Sequence, residues 1–117
     1  MATLAEQILQ AQDIQTHKVE VPEWGVTVYV KVLKGRELDA FQASLLVQGN
    51  ARAVNIENMR AKFLVRCLVD EKGGRIFTDD EAKDLAEKSG GVLQRLFQLA
   101  QKLNGLDDAE TGIVLKN

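Results

Sequence analysis

The sequence predicts an α+β fold, mainly helical, with a β-hairpin near the N-terminus. Three observations carry this. Apolar residues alternate at Val19 and Val21 and again at Val26, Val28, Val30 and Val32, the period of two half-buried strands. Between the runs lies Pro22-Glu23-Trp24-Gly25, where proline suits a strand end and glycine can take positive φ in a turn. After Gly35 the apolar spacing becomes helical and stays so to Leu103. The expected arrangement is one hairpin with about four helices packed over its valine face.

Each element has its own signal. Thr3-x-x-Glu6 is a capping box opening a short amphipathic helix that carries Leu4, Ile8 and Ala11. In the hairpin, an indole at the tip must fold back over the sheet, bury in a neighbouring layer, or be offered to a partner. The usual burial of tryptophan favours Trp24 lying on its own protein. Tyr29 points to the face opposite the valines, with Thr27 and Lys31, and is expected to be at least half exposed. Leu38, Phe41, Leu45 and Leu46 form one helical stripe ended by Gly49-Asn50; Ile56, Met59, Phe63, Leu64, Cys67 and Leu68 form a second. The polar segment 47–58 between them reads as a flexible connection. Gly73-Gly74 marks a tight turn between short extended pieces, and Thr78-x-x-Glu81 caps a helix with Ala82, Leu85 and Ala86. The final helix follows Ser89-Gly90-Gly91, with Leu93, Leu96, Phe97, Ala100 and Leu103 on one face before Asn104-Gly105 stops it.

A chain of 117 residues is the size of one domain and buries roughly two-thirds of its unfolded surface. Residues 1–117 are accordingly expected to form a single unit, with flexible termini at 1–15 and 106–117. A formal charge of −2 provides no global field to concentrate nucleic acid or anionic membrane. The one cysteine, Cys67, cannot close an internal disulfide, and the opening MATLAEQILQ lacks the basic and apolar regions of a signal peptide. No apolar run approaches the roughly 18 residues of a membrane span. These features point to the cytoplasm.

Residues able to do chemistry are few, and none forms a catalytic, cofactor or metal set. His17 has no second histidine to complete a zinc site. Cys67 falls on the apolar stripe of its helix, where a lone cysteine serves as a small hydrophobe. Asp70 through Glu81 has an acid at each end, as in a calcium loop, but Lys72, Gly74 and Arg75 stand where oxygen ligands and the turn glycine belong. Glu20 and Glu23 are expected to be solvated, with nothing nearby to tune them. Arg52, Lys62 and Arg66 could line one side of a helix as a small basic patch; without interleaved aromatic residues it reads as a solvated face ahead of a nucleic-acid site, and it is the one feature that supports the latter. An enzyme finds no residues here to support it.

The order of parts is more telling: a "VPEWG" hairpin, the helix start Gly-Arg-Glu-Leu-Asp-Ala-Phe, then "CLVDEKGGRIFTDDE" and a helix ending "AQKLNGL". Over about residues 18 to 106 this resembles the tail assembly chaperones of long-tailed, siphovirus-type bacteriophages. The resemblance implies a non-enzymatic protein that coats the tape measure protein, keeps it soluble, recruits tail tube subunits, works in the host cytoplasm and is absent from the mature virion. It also implies self-association and, as a further partner, a longer form of the same protein made by ribosomal frameshifting. Other readings are a permanent structural subunit of a phage tail or connector, and a small nucleic-acid-binding regulator. For a chaperone, the contacts are expected on Leu4, Ile8, Trp24 and Tyr29, and replacing Trp24 by alanine is expected to weaken assembly with little change in melting temperature.

Overall fold

The computed structural model describes residues 2–47, 50–54 and 57–106. The expectations placed on Gly49, Ile56 and the segment 107–117 lie outside these residues, as does the side chain of Arg52. Helix α1 (Leu4–Gln10) precedes the hairpin of β1 (Thr16–Val21) and β2 (Val26–Lys31); α2 (Gly35–Ser44), β3 (Leu46–Val47), β4 (Asn50–Val54), α3 (Met59–Cys67), β5 (Leu68–Val69), α4 (Ala82–Leu85) and α5 (Gly90–Leu103) follow. The fold is α+β.

The hairpin forms as the valine alternation requires. β1 and β2 pair antiparallel with Val19 opposite Val28 and Val21 opposite Val26. Val21, Val28 and Val30 are buried, whereas Val26, beside the tip, is half exposed. Pro22–Trp24 makes one 3-10 turn, closed by the Gly25 N–H donating to the Pro22 carbonyl, and Gly25 takes φ 66°, a conformation that suits glycine.

The extended piece expected before Gly73-Gly74 forms, but it starts at Leu68 and joins the hairpin as a third strand, which was not predicted. β5 pairs with β2 on the side away from β1. Leu68 and Val69 are both fully buried, so they continue the apolar stripe of α3 and their strand character leaves no alternation to read. The turn after β5 agrees with the sequence. Asp70 Oδ1 accepts from the N–H groups of Lys72 and Gly74, both at 2.9 Å, and Gly73 takes φ 84°. These backbone donors hold the Asp70 carboxyl below the usual range.

The segment after α2 also departs from expectation. The helix stops at Ser44, and Leu46 leaves its stripe to begin β3, half exposed. Leu46 pairs with Val54 and Val47 with Asn50, so a second, two-stranded sheet occupies much of the expected flexible connection. Alanines at 51 and 53 make the apolar signal of β4 too weak to announce a strand.

The core is centred on α3. Met59, Ala61, Phe63, Leu64, Val65, Arg66 and Cys67 are all buried, as befits a helix surrounded by other elements. Phe63 stands between Phe41 of α2 and Phe97 of α5, edge to face with each at centroid distances of 5.0 and 5.5 Å, a geometry that aligns ring edge with ring face. Arg66 and Arg60 place their guanidinium groups 5.9 Å from the outer rings of Phe41 and Phe97. Leu93, Leu96 and Ala100 of α5 are buried with Val28 and Val30 of β2 in the same cluster. Asn104, which ends α5, accepts the Leu33 N–H at 2.7 Å and donates to the Ala100 carbonyl, tying the end of α5 to the chain leaving β2. Ser89 caps the start of the helix, accepting from the Val92 N–H.

Candidate interaction surface

α1 stands apart from this core. Thr3 Oγ1 accepts from the Glu6 N–H and the Glu6 carboxylate reaches back to the Thr3 N–H, which stabilises the first turn locally. No residue of the helix is buried. Leu4 and Ile8, one turn apart on the same side, are 73% and 64% exposed, and Leu9 beside them is 83% exposed. Ala11 is the C-cap, in extended conformation. Leu9 had not been singled out from the sequence; its signal is an apolar residue adjacent to Ile8 in a helix too short to bury two faces.

Trp24 behaves differently. It is partly buried against the core, so the indole folds back onto its own protein. The hairpin tip is also tied to α5: Glu23 accepts two hydrogen bonds from the Arg95 guanidinium, at 2.7 and 2.9 Å, across 72 residues of sequence. This corrects the expectation of an untuned Glu23, since Arg95 holds its carboxyl down at about 2. The partner lies too far away in the chain for local reading to find.

Tyr29 is partly buried, less exposed than expected. The turn after β5 closes over that side of the sheet, and Tyr29 lines an open groove of about 400 Å³ with Lys18, Thr27, Asp70, Glu71 and Ile76. Lys31 on the same face is bound at 2.8 Å to Glu37 of α2. Partial burial would raise the Glu37 carboxyl, but the Lys31 ammonium and the Lys34 N–H outweigh it and hold the group low.

Of the expected basic patch, Arg66 turns inward, and Arg52 lies outside the described side chains. Arg66 is buried, donates to the Lys62 carbonyl at 2.7 Å and lies 3.6 Å from Asp79. Asp79 also accepts from Arg75 at 2.7 Å, and these cations keep its carboxyl below the ordinary range. Glu81 caps its own turn by accepting the Thr78 N–H at 2.8 Å. Asp70 and Glu81 thus serve two separate backbone turns, and among the described residues no cluster of three or more His, Cys, Asp or Glu could hold a metal ion. Cys67 is buried, which pushes its thiol up. His17 is exposed. No described helix is long and apolar enough to cross a membrane.

The profile of the phage tail assembly chaperone family matches residues 3–112. The chain belongs to that family. Among solved structures, it is similar to the tail assembly chaperone of bacteriophage HK97, with a TM-score of 0.59 and 24% identity over 85% of this chain and 95% of that one. Comparison with curated proteins returns no match.

Proposed function

We propose that this tail assembly chaperone acts without covalent chemistry, coating the tape measure protein, keeping it soluble and recruiting tail tube subunits to it. It works in the host cytoplasm as one domain, self-associates along the tape measure, can be joined there by a frameshift-extended form of itself, and is absent from the mature virion. The observation that carries the binding part is α1: a capped helix with Leu4, Ile8 and Leu9 facing outward and no residue in the core. An amphipathic helix with an unused apolar face suits a helical client, on which contacts recur every turn or two. Trp24 and Tyr29 contribute through what remains exposed at the hairpin tip and the groove.

The test is co-expression with the tape measure protein, comparing the native chain with the double variant Leu4→Ser, Ile8→Ser. The native chain is expected to keep the tape measure soluble and be captured with it in many copies. The variant is expected to fold normally and lose most of that capture. Equal capture by both overturns the assignment of the contact to α1; precipitation of the tape measure in the presence of the native chain overturns the chaperone mechanism.

A further inference from the structure

We propose that β1 is a homotypic docking edge: two copies of this chain join their β1 strands antiparallel about a twofold axis at Val19, making one continuous sheet. The inference rests on the self-association in the reading above and specifies its surface.

β1 ends the order β1-β2-β5, and Thr16, His17, Lys18 and Glu20 are exposed. Hydrogen-bonded and non-hydrogen-bonded pairs alternate along an antiparallel ladder. The Gln15 carbonyl accepts from the Val32 N–H at 2.9 Å, and Thr16 stands opposite Lys31. It follows that His17, Val19 and Val21 spend their backbone groups on β2. Thr16, Lys18 and Glu20 turn theirs to the open edge, a row of donors and acceptors without partners among the described residues and able to template another strand.

Charge then selects the register. Centring the pair on Lys18 sets Lys18 against its own copy. Centring it on Glu20 sets two glutamates together and puts Lys18 opposite Pro22, which has no N–H to give. Centring on Val19 sets Lys18 against Glu20 of the other copy, twice by symmetry. Both residues carry outward-facing backbone groups, so about four N–H to O=C bonds form, and both charges find an opposite directly across the strands. A closed twofold contact of this kind is self-complementary. Asp70 and Glu71 across the groove are the local acids that also face Lys18.

The variants K18E and E20K test the idea, with size measured by sedimentation velocity on the isolated protein. Each variant alone carries two repulsive pairs per dimer, and its association is expected to weaken by about tenfold or more. Mixed in equal amounts, the two should form a heterodimer, because every facing pair is again of opposite sign; the double variant K18E/E20K should recover the native association. Val19→Cys is expected to give a disulfide-linked dimer on mild oxidation, since directly opposed residues at a non-hydrogen-bonded pair lie within bridging distance. Association that ignores both single variants overturns the edge while leaving self-association intact. A native chain that stays monomeric overturns both, and tape measure capture, read in a separate assay, is unaffected by either result.

Discussion

Replacing Phe63 by alanine tests the packing scheme most severely. The ring is fully buried on α3 and is the only member of the described aromatic row that touches two others, Phe41 and Phe97. Truncating a fully buried phenylalanine costs about 3–5 kcal/mol in lost transfer energy and residual cavity. Each edge-to-face contact supplies about 0.5–1.5 kcal/mol of its own, so the upper half of that range is expected. Against a total stability of about 5–15 kcal/mol, the loss is about a quarter or more. For a domain of this size it corresponds to a fall in Tm of about 12–20 °C. Urea unfolding followed by far-UV circular dichroism reads it as a lower midpoint at unchanged slope. Phe63→Leu keeps most of the volume and loses the ring geometry, so a smaller loss, about 1–2 kcal/mol, is expected. A loss under about 1 kcal/mol for the alanine variant, well outside the range for a buried ring, would refute the central placement of Phe63. So would a leucine variant as damaged as the alanine one.

Four further outcomes follow from particular contacts. Trp24→Ala is expected to cost about 1–3 kcal/mol of stability in thermal unfolding, less than a fully buried ring but well above zero; this replaces the expectation of an unchanged Tm drawn from the sequence. Asn104→Ala leaves the Leu33 N–H without its acceptor and is expected to cost about 1–2 kcal/mol by the same assay. Because Glu23 is held at about 2 when folded, below its ordinary 4.5, its pairing with Arg95 stabilises fully above the unfolded value and is lost as pH falls toward 2. The Tm difference between the native chain and Glu23→Gln should therefore be largest near neutrality and close across that acidic window. Finally, the Cys67 thiol should resist a thiol reagent at pH 8 in the native protein and react promptly in denaturant, since burial both shields it and suppresses the thiolate.

What the sequence makes legible is what local periodicity encodes. The hairpin was readable because its valines alternate around a turn that only a few residue types can make, and α5 because its leucines, Phe97 and Ala100 keep helical spacing between a serine cap and Asn104-Gly105. The start of β5 at Leu68 and its pairing with the hairpin were not, because two residues buried on both faces look the same at the end of a helix as in a strand. Arg66 read as a surface charge because nothing local reveals that Asp79 and the ring of Phe41 wait beside it. The pairing of Glu23 with Arg95 is invisible for the same reason, being a product of tertiary folding alone. On the surface, the capping box announced α1, but only the packing reveals that none of its residues enters the core. The β1 edge is a third kind of case: its charge alternation is present in the sequence, yet it gains meaning once the strand order leaves β1 outermost.

The most direct measurement is the abundance of this chain through assembly, by quantitative mass spectrometry of tape measure complexes captured during infection and of purified virions. Many copies per tape measure in the captured complexes and none in finished particles is the expected result. A fixed number of copies retained in purified virions would contradict it and make the chain a permanent subunit of the tail or connector.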